Sequence, residues 1–393
     1  MTTQTLEKTN TFENYWPPVN GNKIAICMSG GVDSSVSAYL LQKKGYETIG
    51  LTGWLIKGGG RCCDSGMVDA AKVSEQIGIN HISKDLRVFF KQEIVDPFIN
   101  SYSIGSTPIP CITCNTTIKW GSLMQYAFSE LNCSHIATGH YAKLVNDNGI
   151  FKIVRSKDTK KDQTFMLWGL TQEVLSRTVF PLGNLTKDEV REIAVGACSG
   201  KSLCVADKEE SQDICFVSEK EGTQGFLGKY LQSKEGFIIE NKTGNILGTH
   251  QGTHNFTIGQ RKGLGIAYSE PLYVVDVDVE KNIVYAGIKG ELEGNELIAK
   301  DVNWINPIIA SEAKQSRLNS GENDRDCFVA NAPRNVMAKI RYNSKTSPAT
   351  VTLLENDKIK VTFDSPQSAI TSGQACVFYD ETDQILLGGG WIV

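Results

Sequence analysis

The chain has 393 residues and a formal net charge of −4, with 40% of its residues hydrophobic and 21% charged. This composition is typical of a globular protein, and the length predicts two or three domains because one hydrophobic core rarely grows this large. No apolar run reaches the roughly 20 residues that a membrane span needs, and the net charge gives no global argument for nucleic-acid binding. The first 20 residues lack a signal-peptide pattern, so the eleven cysteines are expected to be reduced thiols in the cytoplasm.

Apolar runs alternate with helical patterns between Lys23 and about Gly139. The predicted strands are Ile24–Met28, Thr48–Leu55, Ile79–Leu86 and His135–Thr138, and the predicted helices are Val36–Lys44, Met67–Ile77, Val88–Ser101 and Ile118–Leu131. Alternation of this kind predicts a Rossmann-like α/β domain, in which helices cover both faces of a parallel sheet. Ligands of such sheets bind beyond the carboxyl ends of the strands.

Beyond about residue 217, glycines and short alternating runs replace the helical patterns. The predicted strands here are Phe237–Glu240, Tyr273–Val279, Ile283–Ala286, Val336–Tyr342, Thr350–Leu354, Lys358–Phe363 and Ala375–Tyr379. Strands this short indicate β-barrel-like modules. We therefore predict a first domain over residues 20–217, a small central β-rich domain over 218–287 and a C-terminal β-barrel over 288–393. A polar stretch near 310–334 is expected to be an exposed, mobile insertion.

The first predicted strand runs directly into the turn Cys27–Ser35, CMSGGVDSS. Glycines let backbone N–H groups approach an anion closely, and the following helix directs the positive end of its dipole at the same place. The spacing matches neither the phosphate loop that ends in Lys-Ser/Thr nor the dinucleotide fingerprint. A plain glycine turn is the alternative. The stretch resembles the loop of the PP-loop ATP pyrophosphatases, which implies that ATP binds here and that Asp33 helps to place Mg²⁺.

Two cysteine positions indicate either sulfur or metal chemistry. Cys111 and Cys114 form a Cys-x-x-Cys spacing just before a predicted helix, and a thiol at a helix N-terminus is favoured as the thiolate. Cys114 is thus a candidate nucleophile, with Cys111 as its candidate resolving partner. The alternative is a metal site formed with Cys62 and Cys63, although that adjacent pair cannot readily supply two tetrahedral ligands. Taken alone, Cys215 is more often a small buried hydrophobe than a reactive group.

Seven motifs in a fixed order make the resemblance specific. After the pyrophosphate loop come TPIPCITCNTTIKW, ATGHYA, KDQTF, FPLG, ESQDICF and GQRKGLGI. Together they resemble the tRNA-specific 2-thiouridylases, PP-loop enzymes that replace O2 of the wobble uridine by sulfur. The similarity runs from Lys23 to Val393, interrupted by the polar insertion. It implies an adenine nucleotide alpha hydrolase-like first domain followed by two β-rich modules.

The resemblance also assigns residues to roles. The implied ATP ligands are Cys27, Met28, Ser29, Gly30, Gly31, Val32, Asp33, Ser34, Gly53 and Gly139. Cys114 matches the family's nucleophilic cysteine, and Cys215 matches the cysteine that carries a persulfide received from a sulfur-donor protein. The segment that meets the target base is Ile109, Pro110 and Cys111, and the implied tRNA contacts elsewhere are Lys161, Asp162, Gln163, Arg341 and Tyr342.

The chemistry that the resemblance implies begins with adenylation of O2 of uridine 34, because a carbonyl oxygen is a poor leaving group. The persulfide on Cys215 then delivers sulfur to C2, and Cys114 closes a disulfide that a reductant opens again. The two cysteines must therefore approach within about 6 Å between their Cα atoms. One departure concerns Cys111, where some relatives carry an aspartate that has been a candidate proton acceptor; the general base here is not identified.

Two other functions remain open at the level of sequence. A PP-loop ligase or amidotransferase that adenylates a carbonyl group and transfers nitrogen would need no reactive cysteine pair. A non-catalytic tRNA-binding protein on the same fold would consume no ATP when tRNA and a sulfur donor are added. Substitution of Cys114 and Cys215 with serine should leave the turnover of the first alternative intact, whereas ATP consumption on addition of tRNA would exclude the second.

Overall fold

The computed structural model describes residues 12–57, 64–197, 201–209, 214–305, 334–355 and 358–393. The predicted insertion near 310–334 lies outside the described residues except for Arg334, and so do Cys62 and Cys63. Within the described part of the chain, no helix combines the length and apolar character that crossing a membrane requires.

The described part of the first domain contains seven strands and eight α-helices. Its strands are β1 (Lys23–Cys27), β2 (Glu47–Trp54), β3 (Asn80–Asp85), β4 (His135–Ala137), β5 (Lys143–Asp147), β6 (Ile150–Val154) and β7 (Thr178–Val179). Its α-helices are α1 (Val32–Lys43), α2 (Asp64–Ile77), α3 (Arg87–Phe90), α4 (Asp96–Ser103), α5 (Pro110–Thr113), α6 (Met124–Ser129), α7 (Gln172–Leu175) and α8 (Lys187–Gly196). Two π-helical segments, Lys91–Val95 and Cys114–Leu123, join α3 to α4 and α5 to α6.

The remaining elements are mostly strands. They are α9 (Gly222–Leu227), β8 (Gly236–Glu240), β9 (Ile246–His250), β10 (Tyr273–Asp278), β11 (Ile283–Gly287), β12 (Glu293–Trp304), β13 (Arg334–Lys339), β14 (Ser347–Leu353), β15 (Ile359–Ser368), β16 (Ala375–Tyr379) and β17 (Ile385–Ile392). Short 3₁₀ turns lie at Thr164–Leu167, Thr253–Asn255 and Lys289–Leu292.

A parallel sheet in the order β3-β2-β1-β4-β7 forms the centre of the first domain, which confirms the predicted Rossmann-like class. The central strand β1 is apolar and fully buried at Ile24, Ala25 and Ile26 because helices cover both of its faces. From β1 the chain first builds one half of the sheet and then returns to add β4 on the other side. This reversal leaves a crevice beyond the carboxyl ends of β1 and β4, where ligands of such sheets bind.

Two helices begin earlier than the sequence pattern predicted. Helix α1 starts at Val32 instead of Val36, so Asp33, Ser34 and Ser35 lie in its first turn. The helical run predicted to start at Ile118 starts at Pro110, the first residue of α5. The prediction that Cys114 lies at a helix N-terminus is therefore wrong, because a proline at the first position begins the helix one turn earlier.

The two β-rich modules have separate sheets and cores. The central module is a four-stranded sheet in the order β10-β11-β8-β9, packed around Ile238, Val274 and Val284. In the C-terminal module, β12, β15, β14, β13, β16 and β17 follow one another, and β17 pairs back with β12 to close a six-stranded antiparallel barrel.

A hairpin from the first domain joins the barrel. Strands β5 and β6 pair with each other, and β6 continues the barrel sheet through the pairs Ile385↔Val154 and Leu386↔Ile153 of β17. The sequence pattern did not predict this hairpin, because its partner strand lies more than 200 residues away. The hairpin thus joins the first domain to the barrel. The segment that follows the hairpin, from Arg155 onwards, leaves β6 at this junction.

The segment before α5 touches both β-rich modules. A Cβ atom built on Gly105 would lie 2.9 Å from Val279, next to β10 of the central module. On the barrel side, Thr107 donates its N–H to Ser372 O at 3.0 Å, and Gln374 Nε2 donates to Thr107 O at 2.7 Å. All three parts of the molecule therefore meet just before Ile109.

Candidate active site

The turn between β1 and α1 has the backbone shape of an anion site. Gly30 has φ +71°, and a Cβ atom there would lie only 2.2 Å from Gly66 O, so no other residue fits. No side chain of the described residues caps α1 at Gly31. The first N–H groups of α1 therefore face the turn, which is the usual arrangement at a phosphate.

The serines of the turn hold its shape. The hydroxyls of Ser34 and Ser35 both donate to Gly31 O, at 3.1 and 2.8 Å. Ser34 Oγ also accepts the N–H of Ser29 at 3.2 Å. Because the two buried hydroxyl protons are already used inside the turn, the backbone N–H groups and the helix dipole are left as the main attraction for an anion.

Gly139 closes the other side of the crevice, directly after β4. A Cβ atom on Gly139 would lie 2.8 Å from Ser34 N and 2.9 Å from Asp33 C. The backbone of Gly139 thus packs directly against the first turn of α1, with no room for a side chain at Gly139. Together the turn Cys27–Ser35 and Gly139 form a cradle of backbone groups at the ends of β1 and β4.

Asp33 is held by two residues to which the sequence analysis assigned no role. Its Oδ1 accepts hydrogen bonds from Lys187 Nζ at 2.7 Å and from Tyr141 OH at 2.7 Å. Lys187 is only 7% exposed and is the first residue of α8. Its only sequence signal was the pattern from Thr186 to Glu189, which forms a capping box at the start of α8. The side chain of Asp33 is 32% exposed, and the described residues contain no group of three or more His, Cys, Asp or Glu side chains that could hold a metal ion by itself.

A second lysine links the turn to the segment that leads to Cys215. Lys208 Nζ donates to Gly30 O at 2.9 Å and pairs with Asp69 Oδ2 at 2.6 Å. Seven residues further along the chain is Cys215. Residues 210–213 between them lie outside the described residues, so the contact ties Lys208 itself to the turn.

A buried polar group lies behind the turn. The ring of His140 stacks on Trp120 at 5.5 Å, while its two nitrogens contact Thr138 Oγ1 at 2.7 Å and Lys119 Nζ at 3.4 Å. Burial, and then the charge of Lys119, hold the pKa of His140 well below its usual range, so the ring is neutral at pH 7. Burial also raises the pKa of Cys27 to about 12.

Cys114 and Cys215 pack against the same hydrophobic cluster. Phe216 anchors the Cys215 segment, because its ring meets Phe90 at 5.8 Å and Phe98 at 5.1 Å. Both thiols are half-buried, whereas Cys111 is exposed. This cluster is large and runs from the first domain into the C-terminal barrel, so both residues border it without a contact between them being recorded.

Gly53 and the target-base segment border the same region. Gly53 lies near the carboxyl end of β2, and a Cβ atom there would lie 3.5 Å from Leu123 at the end of the helical run that carries Cys114. Ile109 is half-buried and Pro110 is buried, so of the three predicted base contacts Cys111 is the most accessible.

The predicted tRNA contacts also come together across the junction with the barrel. Tyr342 OH donates to Asp162 O at 3.2 Å, and Arg341 donates to Ser368 O. The carboxylate of Asp162 is 5% exposed and accepts from Arg155 Nη1 at 3.1 Å and from Ser156 N at 2.9 Å. The side chain of Asp162 thus faces inwards and positions its neighbours.

Gln163 is also engaged inside the protein. Its Oε1 accepts the N–H of Tyr141 at 3.0 Å, and its own N–H donates to Tyr141 O at 2.9 Å. Lys161, half-buried, lines an open cleft of about 460 Å³ together with Lys160, Lys187 and Arg191. The remaining lining residues are the carboxylates Asp158, Asp188 and Glu209.

Comparison with known proteins gives three family models in succession. They are described as a tRNA methyl transferase HUP domain over residues 22–219, a tRNA methyl transferase PRC-barrel domain over 224–288 and an aminomethyltransferase beta-barrel domain over 294–392. A tRNA-specific 2-thiouridylase MnmA of Nostoc punctiforme is 45% identical over 94% of this chain and 98% of its own length. The enzyme of the same name from Trichormus variabilis is 43% identical over 93% and 97% of the two chains.

The chain belongs to the tRNA-specific 2-thiouridylase family. Within this thiouridylase, the residues that sequence motifs did not assign share one property. Each acts through a contact with a residue far away in the chain, and they are Lys119, Tyr141, Lys187 and Lys208.

Proposed function

We propose that this protein catalyses the ATP-dependent 2-thiolation of the wobble uridine, position 34, of tRNA. The observation that carries the proposal is the 45% identity, over nearly the full length of both chains, to a protein named a tRNA-specific 2-thiouridylase. The packing of two half-buried cysteines against one hydrophobic cluster is compatible with it, because sulfur transfer needs both thiols near the activated base.

ATP would bind with its phosphates at the turn Cys27–Ser34 and at Gly139, and with its adenine towards Gly53. The uncapped N-terminus of α1 supplies N–H groups and a positive dipole end to the phosphates. Oδ2 of Asp33 would hold Mg²⁺, which when bound neutralises phosphate charge and so favours departure of pyrophosphate.

In the first step O2 of the uracil attacks the α-phosphorus of ATP and pyrophosphate leaves. The terminal sulfur of a persulfide on Cys215 then bonds to C2, and AMP departs with the electrons of the C–O bond. The Cys114 thiolate attacks Sγ of Cys215, which breaks the bond to the transferred sulfur and leaves a Cys114–Cys215 disulfide. A dithiol reductant is oxidised when it reopens that disulfide.

Lys161, Asp162, Gln163, Arg341 and Tyr342 would receive the anticodon arm, with Ile109, Pro110 and Cys111 next to the target base. Lys161 supplies charge, while Asp162 and Gln163, engaged internally, hold the segment in place. A loop base that is splayed out of its stack is the form of RNA that such a site can read. The partners are thus tRNA and a persulfide-donor protein, in the cytoplasm where thiols stay reduced.

The decisive experiment incubates purified protein with tRNA, ATP, Mg²⁺ and a persulfide source, and analyses the wobble nucleosides by mass spectrometry. We expect 2-thiouridine with the wild type and with Cys204→Ser, a control at an exposed cysteine outside the site. Cys215→Ser should yield adenylated tRNA and no 2-thiouridine, because adenylation does not use that thiol.

Two results would contradict the proposal. Full 2-thiouridine formation by Cys215→Ser would remove the persulfide role. A methylated nucleoside formed from S-adenosylmethionine without ATP would instead support the methyl transfer in the family-model descriptions, since a sulfonium donor carries its own leaving group and needs no adenylation.

A further inference from the structure

A chain of paired charges crosses the junction between the first domain and the barrel. Arg155, directly after β6, pairs through Nη1 with Asp162 Oδ1 at 3.1 Å and through Nη2 with Asp383 Oδ1 at 2.6 Å. The side chains of Arg155 and Asp162 are only 13% and 5% exposed. Charged groups are rarely this buried unless they are paired, so the three side chains form one unit.

This charged unit ends on both of the segments that hold predicted tRNA contacts. Asp162 belongs to the segment 161–163 of the first domain. Asp383 Oδ2 accepts a hydrogen bond from Thr346 Oγ1 at 3.0 Å, and Thr346 follows the predicted contacts 341–342 in the connection between β13 and β14. The unit thus connects two segments that are far apart in the chain.

Asp383 has a backbone conformation for which glycine would be the usual residue. It lies in the turn between β16 and β17 with φ +55°, in the left-handed region. Its N–H donates to Asp380 O at 2.9 Å, and its carbonyl oxygen accepts from Arg155 Nε at 2.7 Å. A glycine could form this turn as well, so the turn alone does not account for a carboxylate that binds Arg155 and Thr346.

The guanidinium of Arg155 is fixed from several sides. Its plane lies 3.9 Å from the ring centre of Tyr379, and the backbone N–H of Arg155 donates to Gln384 O at 3.0 Å. A guanidinium fork can hold two carboxylates and stack on a ring at the same time, whereas a lysine ammonium cannot reproduce this geometry. The residue type therefore fits a rigid connection between two modules.

We propose that Arg155 and Asp383 are positioning residues for tRNA, which hold the segments 161–163 and 341–342 at the separation that the anticodon arm requires. They act through these segments and do not themselves contact the RNA. The inference rests on the proposed function, because it takes both segments as tRNA contacts. Loss of the connection should raise the KM for tRNA and leave the chemical step at saturating tRNA unchanged.

The test compares two aspartates of the barrel that share one backbone conformation. Asp383→Gly removes the carboxylate from a turn whose φ already suits glycine, so the backbone gains no strain. The affinity of the full chain for an anticodon stem-loop RNA, measured by fluorescence anisotropy at fixed salt, should fall roughly tenfold, since small misplacements of binding groups are unfavourable. Asp301→Gly is the matched control, because Asp301 is exposed on β12 with φ +52°, and its affinity should stay within about twofold of the wild type.

Kinetics separate a positioning role from a general effect on stability. With 2-thiouridine formation as the assay, Asp383→Gly should raise the KM for tRNA roughly tenfold and leave kcat within about twofold. A variant that only left part of the protein unfolded would lower kcat and leave KM unchanged. Phe378→Leu provides this comparison, since Phe378 is fully buried in the barrel core and its truncation should lower the thermal midpoint without changing KM.

A second variant covers the case in which Asp383→Gly does not fold. Arg155→Lys keeps the charge but cannot hold both carboxylates, so it should weaken RNA binding in the same direction. Unchanged RNA binding by either folded variant, or equal weakening by Asp301→Gly, would overturn the positioning role. A wild type that binds the RNA but forms no 2-thiouridine would instead refute the proposed function, and the binding measurements would still decide the role of Arg155 and Asp383.

Discussion

At the scale of single residues, the described cysteines differ in how far their thiols are buried. Burial raises the pKa of Cys27 to about 12, and it also raises the pKa of Cys376 in the barrel core. Cys204 is exposed, and Cys114 and Cys215 are half-buried. Since the thiolate is the reactive form, the raised pKa of Cys27 disfavours this residue as a nucleophile.

This difference predicts how the thiols react. At pH 8, limited iodoacetamide treatment followed by peptide mass spectrometry should label Cys204 at least roughly tenfold faster than Cys27 or Cys376, because Cys204 is exposed and burial raises the pKa of the other two thiols more strongly than that of Cys204. Unfolding in urea provides the control, since all three thiols should then react alike. Rapid labelling of Cys27 in the folded protein would show that the turn opens to solvent.

At the scale of elements, the site depends on how closely β4 approaches α1. The backbone of Gly139 leaves no space for a Cβ atom against Ser34 N and Asp33 C. The approach brings the carboxyl ends of two parallel strands to one helix N-terminus. The geometry of the cradle is therefore a property of the pair of elements.

Gly139→Ala should force β4 and α1 apart. We expect a loss of stability of about 1–3 kcal/mol, as for other overpacked sites, together with weaker ATP binding measured by equilibrium dialysis. Gly196→Ala is the matched control, since a Cβ atom at the end of α8 meets nothing within 4 Å. Alanine is the better helix former, so this control should keep or slightly increase stability. Unchanged ATP binding by Gly139→Ala would contradict the role of the cradle.

At the scale of the whole molecule, the first domain and the barrel share a sheet and a polar network. Arg155, directly after β6, pairs with Asp162 at 3.1 Å and with Asp383 of the barrel at 2.6 Å, and its guanidinium lies 3.9 Å from the ring centre of Tyr379. The predicted tRNA contacts lie on both sides of this junction. An RNA bound at this junction would therefore contact the first domain and the barrel at the same time.

Stability of the whole molecule should fall in mild acid. Burial lowers the pKa of all five histidines, which are His81, His135, His140, His250 and His254, and for His135 the value is about 4. An unfolded histidine titrates near 6.5, so below that pH the unfolded chain binds more protons than the folded one. The stabilisation is present above about pH 6.5, and it is lost as the pH falls towards the pKa values that the histidines have in the folded protein.

The measurement is the thermal midpoint of unfolding between pH 7.5 and 5.0, which should decrease steadily below about pH 6.5. His135→Gln should make the thermal midpoint fall less steeply with decreasing pH, because one titrating group is removed. Carboxylates with lowered pKa values, such as Asp85 at about 2, lose their contribution only at lower pH. A midpoint that is constant or rises on acidification would contradict the assignment of neutral, buried histidines.

The sequence by itself determined the features that depend on neighbouring residues. An apolar strand, the turn SGGVDSS and a following helix specify the nucleotide cradle locally, and the alternation after it specifies a parallel sheet. The order of motifs, with Cys114 and Cys215 among them, identified the family.

Tertiary structure decided what depends on residues far apart. Lys187 reaches Asp33 across 154 positions, Lys208 reaches Gly30 across 178, and the hairpin β5–β6 finds its partner in β17. A lysine or a short alternating strand looks the same in sequence whether it faces solvent or a distant carboxylate, because its partner is chosen only when the chain packs. The structure also differs from the prediction at Cys114. The helix begins at Pro110, before the apolar pattern that starts at Ile118, so Cys114 lies inside the helical run instead of at its start.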